Sequence, residues 1–465
     1  MADDAASHAV TGGRPVHRRA RARRAPTRLP GGQTQREALL RAVIEVAAQE
    51  GYPAITLAQL LAQAGVSRRT FHEHFTDKQD CFLTALGDAQ AQLLAEVRQA
   101  ILPEPSRGTQ LAIQTLVAFA ASEPATARVL LSESIAGGPR ALDARDHAID
   151  QIAKLIEASY QSLDATTPLP DVSAGVMIGG VSRLLASRLR HSQQGVPGLL
   201  DDLLDWAGGY EQTLAAHRWR SLRPTPLPAL SARSPNTTLH SPRAPAPGSE
   251  GTSRAHLAAS NRSRILAAVA SLAEQRGYAA TTITEIAARA GISPRTFYRS
   301  FADKREAFAA LHEHHFRTVM GVTAGAFFAQ DAWPARIWEA GRAFTRYLEQ
   351  NPTLARTSFI ESYAGDPVTV ERVEELIGAF TIFLQEGYQH ERLVAPPSPL
   401  ALEAIATTIF ELNYRCTREG RVHELSALIP NTAFISLAPF LGSGATNAFI
   451  DEQLDSARPQ PRAGR

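Results

Sequence analysis

Arg68, Arg69, Thr70, His72 and Glu73 sit within six positions of one another, and Arg295, Thr296, Tyr298 and Arg299 follow 226 positions later (295 − 69). These side chains suit recognition. An arginine fork grips two acceptors on a guanine edge or a phosphate, and a glutamate accepts from the amino group of cytosine. Lys78 and Lys304 close the two stretches. They are two of only three lysines, with Lys154, in a chain holding 48 Lys and Arg. A chain that otherwise uses Arg and keeps Lys there wants a compact ammonium at that position.

The elements that must position these groups are legible around them. The first stretch reads "GVSRRTFHEHFTDK" (Gly65–Lys78) and the second "GISPRTFYRSFADK" (Gly291–Lys304). Thr56 with Gln59, and Thr282 with Glu285, predict capping boxes that start a short helix. Gly65 and Gly291 end it, and Ser67 and Ser293 cap the next, with Pro294 at a first helical position. Helix, three-residue turn with Gly, helix is helix-turn-helix spacing. Phe71 and Phe75, like Phe297 and Phe301, are four apart and face inward. Arg68, Arg69, His72 and Glu73 are left outside, opposite Pro294, Arg295, Tyr298 and Arg299. Asp77 and Asp303 cap a third helix. A bare αα-hairpin explains the caps, but not why inward letters stay fixed between copies while outward ones change.

The repetition extends beyond the motif. Gln35–Leu86 aligns with Asn261–His312 without a gap, and "EPATARVLLSESIAGGP" (Glu123–Pro139) pairs with "NPTLARTSFIESYAGDP" (Asn351–Pro367) at an offset of 228 (351 − 123). Units of this size are domains and not solenoid repeats. Leu39, Leu40, Val43 and Ile44 recur at helical spacing, as do Leu57, Leu60 and Leu61, and no alternating strand pattern stands out. The expected fold class is all-α.

Both stretches, each preceded by a capped helix and an "EGY" or "RGY" corner, resemble the TetR family of bacterial transcription regulators. The resemblance is specific through each fifty-residue DNA-binding unit and covers most of the chain outside tail and linker. It implies two TetR-like repeats, each a three-helix DNA-binding unit followed by a ligand-binding and dimerisation bundle. The expected organisation is an Arg-rich disordered tail at 1–33, a first DNA-binding domain at 34–94 and its bundle at 95–220. A Pro/Ser-rich linker at 221–256 leads to a second DNA-binding domain at 257–320, its bundle at 321–442 and a flexible tail at 443–465. By resemblance Arg68, Arg69, Thr70, Glu73, Arg295, Thr296 and Arg299 approach base edges. His72, Tyr298, Lys78 and Lys304 approach phosphates, with His72 standing where the family commonly has Tyr. Glu73 against Arg299 predicts two unlike half-sites. The implied partners are a double-stranded DNA operator and a small-molecule effector in one or both bundles. The family binds DNA as a homodimer, so two units in one chain pair either as an intramolecular pseudo-dimer or across a homodimer.

Other features carry less. His312 and His315 share a helix face, but two ligands do not make a metal site, and no metal or cofactor is expected. Cys81, just inside a helix, reads as a plain half-buried thiol, and Cys81 and Cys416 make no disulfide framework. No apolar h-region follows the basic N-terminus and no run of 18 apolar residues occurs, so a cytoplasmic protein without a membrane span is expected. The net charge of +2 leaves polyanion affinity to local clusters. An enzyme on helical bundles, or an architectural DNA binder, is the alternative. Against the enzyme stand the missing phosphate loop, GxSxG and HExxH patterns.

Overall fold

The computed structural model describes residues 34–163, 172–191, 196–210, 254–364, 367–391, 393–394 and 396–456, and helices dominate throughout them. The Arg-rich tail and nearly all of the Pro/Ser-rich linker lie outside the described residues.

In the first unit α1 (Gln35–Glu50), α2 (Leu57–Ala64) and α3 (Arg68–His74) form a compact head. The expected capping boxes are present at Thr56 and Thr282, and α1 has another at Thr34. Gly65 and Gly291 each turn with φ 64°, a left-handed conformation that a side chain would strain. Helix α4 (Lys78–Ile101) leaves the head and runs into the bundle. It is joined there by α5 (Gly108–Ser122) and α6 (Pro124–Arg128), which continues through a π turn, Val129–Glu133, into α7 (Ser134–Ala136). Helices α8 (Pro139–Gln161), α9 (Ala174–His191) and α10 (Leu200–Gly208) complete the bundle.

The second unit repeats this plan. Its head holds α11 (Arg254–Arg276), α12 (Ile283–Ala290) and α13 (Pro294–Ser300). Its bundle holds α14 (Lys304–Phe327), α15 (Trp333–Gln350), α16 (Pro352–Phe359), α17 (Pro367–Ala379), α18 (Pro399–Arg418), α19 (Ile429–Leu441) and α20 (Ser443–Ser456). Helices α4 and α14 match end for end at an offset of 226, and α8 and α17 start 228 apart (304 − 78 and 367 − 139).

Two expectations about boundaries are corrected. Residues 94 and 320 fall inside α4 and α14, so each head and bundle share one continuous helix. The expected flexible tail begins instead with a helix. After Gly442 turns the chain with φ 76°, α20 packs back on α19 and buries Thr446, Asn447 and Ile450. Its polar start hid the apolar positions that anchor it. Among the described residues one stretch, Val422–Leu441, matches a membrane span in length and composition; 61% of its most apolar window is buried inside the protein.

The two bundles pack through α9 and α18, which approach closely because α9 is small where they cross. A Cβ at Gly179 would collide with the Glu411 side chain, and one at Gly180 with Thr408. Beside this crossing, Tyr210 donates to the Ile435 carbonyl at 2.7 Å, fastening the end of the first unit to α19.

At the centre of the crossing lies a buried charge cluster. Glu411 is fully buried and accepts from Arg183 Nε at 2.6 Å, Arg145 Nη2 at 3.0 Å and Arg415 Nε at 3.2 Å. Burial alone would raise its carboxyl, but Arg145 and Arg183 hold it well below the ordinary carboxylate range. Arg183 and Glu411 are equivalent positions of the two units, 228 apart (411 − 183), as are Gly180 and Thr408. Each therefore meets its own counterpart on a pseudo-two-fold axis. Away from the axis, Arg190 pairs with Glu374 and Arg418 with Asp146, two contacts related by the same offset.

Candidate nucleic-acid interface

Each recognition helix is fixed by the residues facing inward. Phe71 and Phe297 are fully buried, and Phe75 and Phe301 nearly so. Ser67 and Ser293 accept from the backbone N–H of Thr70 and Thr296, both at 3.1 Å. Their hydroxyls also lie within 3.0 and 2.9 Å of the threonine hydroxyls. Thr70 and Thr296 are therefore engaged in their own caps and half-buried. Arg68, Arg69, His72, Glu73, Arg295, Tyr298 and Arg299 are all exposed, on the outer faces of α3 and α13.

The two outer faces differ in how their charges are used. Arg69 Nε lies 3.4 Å from Glu73 Oε1, an exposed pair one turn apart. Among the described residues Arg295 and Arg299 make no ion pair, and Tyr298 is 57% exposed. The first face thus carries a partly compensated charge and the second a purely basic one.

Lys78 and Lys304 turn inward. Lys78 Nζ donates to the carbonyls of Ile55 at 2.7 Å and Tyr52 at 3.3 Å, over the Tyr52 ring. Lys304 Nζ donates to Thr281, Tyr278 and Ala279, at 2.9, 3.1 and 3.2 Å, over the Tyr278 ring. Burial lowers both pKa values. A compact ammonium fits this ring of carbonyls and a planar guanidinium does not, which accounts for the two lysines in an arginine-rich chain.

Sequence reasoning missed two residues that tie head to bundle. Glu133 Oε2 accepts from the backbone N–H of Tyr52 at 2.9 Å, and Glu361 Oε2 from that of Tyr278 at 3.0 Å. Both carboxylates are buried at the end of a bundle helix and hold the same corner of each head. Their signal was the "ES" shared by the two echoing segments. Cys81 is fully buried and its thiol is pushed up to about 12 by burial, as befits a packing residue.

The description of bacterial regulatory proteins of the tetR family matches at two places, residues 39–85 and 265–311, which are the two heads. Both heads thus match the tetR family, in tandem within one chain. The HTH-type transcriptional activator FasR of Mycolicibacterium smegmatis is 28% identical over 120 residues, spanning 26% of this chain and 55% of that relative, so the chain matches about half of its length. Among solved structures, the fatty acid degradation regulator FadR from Bacillus halodurans is 15% identical over 37% of this chain and 92% of its own, with a TM-score of 0.35. A tetR-family regulatory protein from Rhodococcus RHA1 is 22% identical over 38% of this chain and 96% of its own, with a TM-score of 0.33.

The two bundles each hold a cavity at equivalent positions. In the second, about 1150 Å³ lies open among α14, α15, α16, α17, α18 and α19, its mouth included. In the first, the matching space is about 460 Å³ and is bounded by Leu116, Arg145 and Ser182, where the second unit has Phe344, Val373 and Phe410. Among the described residues no cluster of three or more His, Cys, Asp or Glu could hold a metal.

Proposed function

We propose that the chain is a sequence-specific DNA-binding transcription regulator, acting in the cytoplasm, whose two heads read two unlike half-sites of one operator. The observation that carries this reading is the pair of recognition helices. Their caps and buried phenylalanines are the same, and their exposed residues are not. Direct readout would come from Arg68, Arg69 and Glu73 on α3 and from Arg295 and Arg299 on α13. Thr70 and Thr296 serve as capping residues that set the helix N-termini near the backbone. His72 and Tyr298 are the phosphate contacts. Lys78 and Lys304 support the heads from inside.

The same reading makes one chain its own dimer. Paired heads suit two half-sites about one DNA turn apart. The unlike residues on the pseudo-axis favour pairing of unit one with unit two. Pairing two first units would set Arg183 against Arg183, and pairing two second units Glu411 against Glu411. A small-molecule effector, held in a bundle, would bias head spacing and so DNA affinity. The sign of regulation follows from where the operator lies, and occlusion of a promoter would make the chain a repressor.

Selection of bound DNA from a random pool tests this. An enriched site with two different halves is expected. A symmetric site would assign reading to one head only. Absence of any enriched sequence would favour an architectural or adaptor role.

A further inference from the structure

The two cavities differ in more than size. The larger one is walled by six phenylalanines, Phe316, Phe344, Phe359, Phe380, Phe383 and Phe410. Its lining also includes His312, His315, Asn413 and Thr432, each with a buried polar atom that lacks a hydrogen-bond partner: Nε2, Nδ1, Oδ1 and Oγ1 respectively. An orphaned polar atom in a dry core is costly, and such atoms are rare unless something arrives to meet them. In the first unit the positions of His312, His315 and Asn413 are held by Leu86, Ala89 and Leu185. At these three positions polar residues thus occur only in the copy that is open.

The closing of the first copy has a visible cause. Ile113, fully buried, stands at the position of Gly341, and Arg145 stands where Val373 lines the second cavity. Arg145 fills its space on the way to Glu411. At Gly341 an added Cβ would meet nothing nearer than Ile429 Cδ1 at 3.7 Å, so the space beyond it is real.

The charge of the lining narrows the ligand. Apart from the two histidines, no lining residue of the larger cavity is ionisable as an acid or a base. Burial lowers the pKa of His312 to about 4 and that of His315 well below its usual value, so both rings are neutral near pH 7. A charged group entering this space would lose its hydration without a counter-ion.

We infer that the second unit alone binds the effector, and that the effector is an uncharged, largely apolar molecule carrying a hydroxyl or N–H donor for Asn413 Oδ1. This deepens the regulator reading and rests on it for its consequence, though ligand binding can be measured without DNA. The route to the DNA is short. Helix α14 carries Lys304 beneath the head and His312 and His315 in the cavity wall, and the lining residue Phe359 is two positions from Glu361, which holds the corner of the same head. Ligand binding would therefore move the second head first.

The test uses the full chain and two fluorescent probes of one skeleton. N-phenyl-1-naphthylamine is neutral with an N–H donor, and 8-anilinonaphthalene-1-sulfonate adds an anionic group. The neutral probe is expected to saturate at one per chain, and the sulfonate to bind at least about 10-fold more weakly because its charge is buried unpaired. Gly341→Ile, which brings the first unit's residue, should weaken the neutral probe by about 10-fold or more by occupying its space. Leu116→Phe, which fills the first cavity, should leave it unchanged. Asn413→Leu should weaken it by about 3-fold or more through loss of one hydrogen bond, giving a second reading if Gly341→Ile fails to fold. Equal affinity for both probes, two sites per chain, no saturable binding, or equal losses from Leu116→Phe and Gly341→Ile would each overturn the inference. Failure of the DNA selection with normal probe binding would instead strike the regulator reading.

Discussion

The first and second bundles are built from matching helices, yet the space in one is less than half that in the other. In the first, Ile113 and Arg145 occupy the space and Leu86, Ala89 and Leu185 are apolar. In the second, Gly341 and Val373 leave it open, and His312, His315 and Asn413 put unsatisfied polar atoms around it. Two identical subunits cannot diverge in this way. Once both copies lie in one chain, each position can change independently, so sensing and bracing can be divided. The pseudo-axis shows the same freedom, since Arg183 faces Glu411 where a symmetric dimer would have to place like against like.

This comparison can be broken most severely at the axis. Glu411→Gln leaves Arg145 and Arg183 buried without their carboxylate, and chemical denaturation should show a loss of about 3–5 kcal/mol. Glu411→Arg reproduces the like-charge pairing and should separate the bundles, seen as an expanded chain by small-angle scattering. A loss below about 1 kcal/mol for Glu411→Gln would mean that the cluster adds little to pairing.

The ties between head and bundle should be more modest and alike in both units. Glu133→Ala and Glu361→Ala each remove a charge-assisted hydrogen bond, worth about 1.5–3 kcal/mol. Hydrogen exchange should rise in the first head for one variant and in the second head for the other. Opening of both heads by either variant would contradict their independence.

The reading faces sharpen the contrast. Glu73→Arg should change base preference in one half-site only, by about 1–3 kcal/mol, and Arg299→Glu in the other half only. Binding to operators altered one half at a time would show this. A variant that shifts both halves would show that the heads are not separate readers.

The smallest effect concerns acid. The folded pKa of His312, about 4, lies below its ordinary 6.5, so the unfolded chain takes up more protons between these values and stability falls as pH drops. From pH 6.5 to 5.5 the loss due to His312 should be about 1 kcal/mol. His312→Leu, the first unit's residue, should remove that share of the acid sensitivity in denaturation curves. An unchanged pH slope would place the ring in contact with water.

The heads were legible in the sequence because their structure is local. Caps, glycine turns and inward phenylalanines all lie within a few residues of one another, and they place Arg69, Glu73, Arg295 and Arg299 outside. The lysines showed that an ammonium was needed, but only the fold reveals the carbonyls that need it. Glu133 and Glu361 join segments about 80 residues apart, and the shared "ES" that marks them does not say what they hold. The same holds for the cavity. Leu402–Phe410 and Val172–Leu189 read equally as core or as lining, because emptiness depends on Gly341 against Ile113 and on side chains from six helices. Helix α20 was hidden by a polar start, although Ile450 is fully buried.

The measurement that tests the central claim most directly is the native mass of the protein bound to its selected operator. One chain per site, with both halves protected, is the predicted result: a pseudo-dimer with two unlike heads. Two chains on that site, whether swapped or paired through like units, would contradict it.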